Sequence, residues 1–340
     1  MSEVVRVAAL TGYFHTMRAL GADPRLLLRE CGLPAESLRN PEQLISARAA
    51  NRLLERSAEA TGCMTLGLQM AENRALANLG VTSLLIAHQP TLRLALHALR
   101  EFRNRINSRL ILHIEDRGDE TVLREDFALR NADPTRQASD LALGVLMRLC
   151  SSVLGDHWSP VAVCFSHGAP PSAEMGVYRR LFHCSAHFSC EFNGLVIKTD
   201  DLDRMNVRAD SALAEHARGL IESVTGPEMR SAAQDTEQLI MLLLPSGQAT
   251  IQNCADSMGL TVRTLQRMLD AEEASFSDLL NRARMQLAVQ YLANPRIRVT
   301  DVAEFLGYSS IGAFTRWHTR TFGLSPREWR AAQKGRKGST

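Results

Sequence analysis

"CADSMGLTVRTLQRML", residues 254–269, decides how this chain is read. Ala255 stands four positions before Gly259, and Thr261 opens a segment with Leu265, Met268 and Leu269 on one side. Arg263, Gln266 and Arg267 fall on the other side. Apolar residues recurring three and four apart mark an amphipathic helix. A small residue, a glycine and then a second helix form the pattern of a helix-turn-helix. The small side chain lets the second helix cross the first closely, and the glycine supplies the backbone conformation of the tight turn. Thr261 is the expected N-cap of the second helix.

The unit occurs twice. "AEFLGYSSIGAFTRWH" (303–318) repeats the small residue and glycine at Ala303 and Gly307, 48 positions on. Thr315-Arg316 follow Gln266-Arg267 by 49, so the second copy holds one extra residue. A self-similar stretch of this size is one supersecondary element used twice. Ser309 or Ser310 caps the second copy, Phe314 takes the inward place of Leu265, and Gly312, Thr315 and Arg316 face outward. Arginine matches the edge of guanine and glutamine that of adenine, whereas Gly312 admits a close backbone approach. Between the copies, "LLNRARMQLAVQYLAN" (279–294) reads as a helix about 24 Å long. Two heads on one face of double-stranded DNA stand about 34 Å apart, one helical turn. One polypeptide is thus expected to read two successive grooves.

Charge follows the same division. The 340 residues carry 39 Lys and Arg against 37 Asp and Glu. From residue 250 onward thirteen basic side chains face eight acidic ones, a surplus of five on a body with a deficit of three. A basic C-terminal module on a mildly acidic body suggests that one end meets an anion.

The body reads as helices plus a small sheet. "SARAANRLLERSAEATG" (46–62), "TLRLALHALREFRNRI" (91–106) and "ASDLALGVLMRLCSSVLG" (138–155) have helical periodicity. Residues 109–129 read as two strands about a turn at Asp116–Asp119, and 161–167 and 187–198 are strand-like. A helix at 210–224 precedes a polar stretch with Gly226-Pro227. The expected organisation is a sensing and oligomerisation domain (1–224), a linker (225–236), a DNA-binding domain (237–332) and a basic flexible tail (333–340). The fold class is an α+β N-terminal domain with a mainly antiparallel sheet, followed by an all-α domain with two helix-turn-helix motifs.

Residues 250–332 resemble the two-headed DNA-binding domain of the AraC/XylS transcription regulators. The matching text is "TLQRML", "RARMQLAVQYL", "VTDVAEFLGYSS" and "AFTRWHTRTFGLSPREWR". The resemblance implies that the second helix of each head enters the major groove. Base-facing positions then fall on Arg263, Gln266 and Arg267, and on Ile311, Gly312, Thr315 and Arg316, with Thr261, Ser310 and Arg320 completing the expected contact set. "LGADPRLLLRECGLP", "YRRLFHCSAHF" and "FNGLVIKTDDLDR" resemble the effector domain of the ornithine-utilisation-regulator-like subgroup. Promoter DNA, a small-molecule effector and RNA polymerase are the partners implied, and an activator the keyword. The chain departs from the family at His318, where phenylalanine is usual, at Thr319 in place of a basic residue, and at Glu273, where a glycine usually ends the first reading helix. "DAEE" (270–273) also sets three acids near that helix's C-terminus, which the helix dipole disfavours and phosphates would repel.

Other classes are weaker. Apolar runs such as "LIMLLL" (239–244) fall far short of the ~20 residues of a membrane span. With no signal-peptide pattern either, the expected location is the cytoplasm. Seven scattered cysteines without a C-x-x-C indicate reduced, mostly buried thiols. "HCSAHFSC" (183–190) has tempting ligand spacing but reads better as a loop entering a strand, so neither metal nor cofactor is expected. Arg100, Arg103 and Arg109 are candidates to meet a carboxylate effector, against the blander reading of a solvated face. Leu213, Leu220 and Ile221 are candidates for a homodimer contact. No hydrolase, metalloprotease or phosphate-loop motif is present, and Ser166-His167 lacks an identifiable third member. The rival readings are an alkyltransferase-like enzyme targeted to DNA, for which no cysteine has the required setting, and a regulator controlled by a protein partner without a ligand.

Overall fold

In a computed structural model, all residues are described except 1–3, 34, 39, 42, 75–79, 103–106, 108–109, 128–134, 225–230, 259, 294–296 and 338–340. Local chemistry sets most element boundaries. The helix α1 (Tyr13–Ala19) is followed by α2 (Pro24–Glu30), which begins with proline behind an Asp23 cap. Ser46 caps α3 (Ala47–Thr61), and Gly62 ends it in the left-handed conformation. After α4 (Leu66–Glu72) and α5 (Val81–Ala87) comes α6 (Leu92–Glu101), capped by Thr91. A long α7 (Arg136–Leu154), a short α8 (Met175–Phe182) and α9 (Ser211–Val224) are the remaining α-helices among the described residues of the first unit, Met1–Glu228.

Strands β1 (Val4–Arg6) and β2 (Leu44–Ser46) pair antiparallel, an element the sequence reading missed because each has three residues. The main sheet contains β3 (Leu110–Asp116), β4 (Glu120–Phe127), β5 (Ala162–Cys164), β6 (Ser185–His187) and β7 (Asn193–Lys198). Its order is β3-β4-β7-β5-β6, antiparallel except for β5 with β6. Asp116 Oδ1 accepts from the Gly118 amide at 2.8 Å and closes the expected turn. The expected strand 187–198 is instead two strands, because Ser189 takes a left-handed φ of 58° between them.

The core of this unit lies between helices and sheet, with Leu53, Leu66, Leu96, Leu143, Phe165 and Leu195 fully buried. α4 and α7 cross so closely that a Cβ on Gly67 would sit 2.1 Å from the Gln137 carbonyl oxygen. α9 turns Ala214, Ala217 and Ile221 inward. Ile221 is therefore unavailable to a second copy, contrary to the expected dimer contact; Leu220 remains exposed.

In the second unit, Met229–Thr340, the described residues form helices and no strand. It comprises α10 (Ala232–Leu243), α11 (Ile251–Ser257), α12 (Val262–Ala271), α13 (Phe276–Ala293), α14 (Val299–Phe305), α15 (Ile311–Phe322) and α16 (Pro326–Lys337). α10 starts inside the stretch expected to be linker, because Ser231 accepts from the Gln234 amide at 3.2 Å and nucleates the helix. The expected flexible tail is helical through Lys337, continuing α16. No helix among the described residues is long and apolar enough to cross a membrane.

Candidate nucleic-acid interface

The repeat seen in the sequence recurs in the hydrogen bonds. Each first helix closes on the carbonyl of its small residue: Leu260 N–H donates to Ala255 O at 2.9 Å, and Tyr308 N–H to Ala303 O at 2.9 Å. Gly307 holds the turn of the second copy with a φ of 71°; Gly259 lies outside the described residues. Thr261 Oγ1 accepts from the Thr264 amide at 3.2 Å, and Ser310 Oγ from the Ala313 amide at 3.2 Å. Both caps thus satisfy one orphan N–H of the helix that follows. The extra residue of the second copy lies in its turn, and it decides for Ser310 over Ser309.

Both second helices bury one face. On α12, Leu265 and Leu269 are 0% and 2% exposed, each contributing roughly 1.5–3 kcal/mol by leaving water. On α15 the same positions, 49 residues later, hold Phe314 and His318, at 0% and 1%. The helical period then forces Arg263, Gln266 and Arg267 outward on α12, and all three are exposed. On α15, Ile311, Arg316 and Arg320 are exposed and Gly312 and Thr315 half-buried. Thr315 turns its hydroxyl back to the Ile311 carbonyl at 2.8 Å. Arg263, Arg267 and Arg316 make no ion pair among the described residues, although other arginines of this unit do, such as Arg298 with Asp301 at 3.1 Å.

The connecting helix α13 has 18 residues, about 27 Å of rise. It grips the second head at two points. Trp317 Nε1 donates to Asn281 Oδ1 at 2.7 Å. Arg284 Nε donates to the Leu306 carbonyl at 2.9 Å and lays its guanidinium 4.6 Å from the centroid of the Tyr308 ring. The orphan carbonyl at the end of α14 is thereby satisfied from α13.

Comparison with known proteins identifies the family. Residues 21–206 match the family described as the arabinose-binding domain of AraC transcription regulator, N-terminal, and residues 254–332 match a helix-turn-helix domain family. The chain belongs to the AraC family of transcription regulators. VirS of Mycobacterium tuberculosis, an HTH-type transcriptional regulator, is 28% identical over 338 residues, covering 97% of both chains. The ornithine utilization regulator of Pseudomonas aeruginosa is 21% identical over 334 residues, again 97% of both. The crystal structure of the transcriptional regulator CdpR from Pseudomonas aeruginosa covers 92% of this chain and 97% of its own, at 19% identity and a TM-score of 0.43.

The departures of this AraC-family member at His318 and in 270–273 have local explanations; nothing in the structure explains Thr319. His318 stands among Phe314, Trp317, Phe322 and Trp329, with ring centroids 4.6–6.4 Å away, so the imidazole packs as an aromatic ring. Its Nδ1–H donates to the Leu324 carbonyl at 2.8 Å. Burial, against the opposing effect of that bond, lowers its pKa. Glu273 takes a left-handed φ of 53° and ends α12 with its own N–H on the Asp270 carbonyl and the Ala274 N–H on the Leu269 carbonyl. That is the C-terminal turn for which glycine is suited. Glu272 caps α10: it accepts from Ser231 Oγ at 2.8 Å and from the Ala232 and Ala233 amides at 2.6 and 3.1 Å. Burial works against its ionised form, but these bonds outweigh it and hold the carboxyl below its usual pKa.

The family assignment makes the protein a transcription regulator. His167 does have a carboxylate partner, Asp140 at 2.9 Å from Nε2, but its Nδ1 faces the Gly168 carbonyl at 2.8 Å. Ser166 Oγ instead meets Asn193 Oδ1 at 3.1 Å, so no imidazole nitrogen is left to activate it. In 183–190, His183 and His187 are exposed and Cys184 and Cys190 half-buried. Among the described residues no group of three or more potential ligands is placed to hold a metal ion.

A cavity of roughly 840 Å³, counted to its open mouth, lies in the first unit between β1, α3, α7 and the β3–β4 hairpin. Arg100 does not line it; Arg103 and Arg109 lie outside the described residues. Sequence reasoning missed its polar lining, since Arg6, Asn51, Arg74, Asn107 and Glu125 come from separate segments.

Proposed function

We propose that the chain is an effector-responsive regulator that reads two successive major grooves of promoter DNA. Arg263, Gln266 and Arg267 meet bases from α12, and Ile311, Gly312, Thr315 and Arg316 from α15. Thr261, Ser310 and Arg320 meet phosphates. The observation that carries this reading is the pair of helices in one repeat whose inward faces are filled and whose cationic outward faces have no ion-pair partner among the described residues. Arginine and glutamine suit guanine and adenine edges, and Ile311, 42% exposed, suits a thymine methyl. The first unit binds a small-molecule effector in its cavity, which has the mostly apolar wall and few polar groups usual for ligand pockets. That cavity favours effector control over control by abundance alone. An effector acts only by favouring one arrangement of the two units.

The test is a footprint of the purified chain on the DNA around its own gene, with and without candidate metabolites. Protection of about two helical turns per monomer is expected. Protection of a single turn would refute the two-headed reading, and a footprint indifferent to every metabolite would refute the effector.

A further inference from the structure

Among the described residues, one cation of the cavity has no ion-pair partner. Arg74 is 8% exposed and lines it. One Nη donates to the Ala8 carbonyl, its Nε has no acceptor, and it makes no ion pair among the described residues. Burial lowers its pKa to about 10, which still leaves it protonated at neutral pH. Charged side chains are almost never this buried unless paired, because water solvates an ion far better than a protein interior does. Two other charged groups, Arg6 and Glu125, also line the cavity, but both are engaged with other groups and their formal charges offset. Asn51, 8% exposed on α3, adds an amide with no side-chain hydrogen bond among the described residues. The rest of the wall is largely hydrocarbon.

We propose that this cavity binds a small amphipathic organic anion, a monocarboxylate. Its head is taken by Arg74 and its apolar body lies among Leu54, Leu99, Leu110, Phe127, Leu141 and Leu146. The inference rests on reading the first unit as the sensing part. A guanidinium fork fits a carboxylate with two parallel hydrogen bonds. The hydroxyl-rich surface of a sugar would leave most of its donors unmet against this wall. A single unengaged cation also matches one negative charge better than a phosphate dianion.

The full-length chain is titrated by calorimetry with octanoate and 3-phenylpropanoate, and with 1-octanol and octylamine as chain-matched controls. At least one carboxylate is expected to bind, and both controls to bind more weakly. Arg74→Met should weaken carboxylate binding by about tenfold to a hundredfold, with Arg74→Lys in between. The proposal is overturned if neither carboxylate binds more tightly than about 1 mM. It is equally overturned if octanol or octylamine binds as well, a comparison that needs only the wild-type protein should Arg74→Met not fold. Affinity for DNA with and without the bound carboxylate is measured separately. Binding that depends on Arg74 but leaves DNA affinity unchanged supports the site and refutes its role in control.

Discussion

Three residues show how chemistry is divided between fold and function. Gly312 sits in the first turn of α15, where an added Cβ would meet only the end of Arg316, at an ordinary 3.5 Å. Nothing within the chain asks for glycine there, and glycine costs a helix up to about 1 kcal/mol relative to alanine. Gly312→Ala is therefore expected to raise the urea midpoint slightly yet weaken specific DNA binding; a variant that gains stability and keeps full affinity would show that no close approach to DNA occurs at this position. Glu273 presents the reverse case. A left-handed φ costs a side chain about 1–2 kcal/mol, and glycine returns about 0.5–1 of that as unfolded-chain entropy. Glu273→Gly should thus stabilise the protein by about 0.5–1 kcal/mol in denaturant titration. The unusual residue was visible in the sequence, but its strain required a backbone. At His318 the folded state disfavours the proton, so the stability it supports is present above the unfolded pKa of about 6.5 and is lost as pH falls below it. His318→Phe should flatten the acid side of the stability profile by at most about 1.4 kcal/mol per pH unit. An unchanged slope between pH 7 and 5 would mean that the imidazole is not held neutral.

At the scale of elements, the connector is the part on which two heads depend. The 3.6-residue period announced α13 and both reading helices, and their boundaries shift by only a few residues. The bonds that orient the second head on α13 were not legible, because Asn281 and Trp317 lie 36 positions apart and only packing brings them together. Asn281→Ala leaves the Trp317 N–H without its partner and should cost about 1–2 kcal/mol, read by tryptophan fluorescence during unfolding. The acids of "DAEE" looked like a defect of the first reading helix. Glu272 instead holds the N-terminus of α10, the helix that follows 225–230. Glu272→Ala should lower stability by about 1 kcal/mol, the size of a lost helix cap. The difference from wild type should shrink as pH falls through the carboxylate range, since the depressed pKa contributes only while the group is ionised.

For the whole molecule, the basic surplus of the second unit predicts that DNA affinity falls steeply with salt, the slope of log affinity against log salt being about −0.9 per phosphate neutralised. Arg267→Ala should lower specific affinity by about 1–3 kcal/mol and relax preference at one base pair, measured by competition among site variants. The sequence by itself determined the division into an α+β body and a helical reading module, the doubled motif and its outward residues. Those features depend on local periodicity, on caps and on glycine, all written within a few consecutive residues. Tertiary structure alone decided which departures are core and which are strained, and where the cavity lies. Arg74, Asn51 and the strand β1 are far apart in the chain, and no local rule draws them together. Burial is a property of the folded surroundings, so the unpaired charge of Arg74 becomes visible only once the chain has closed around it.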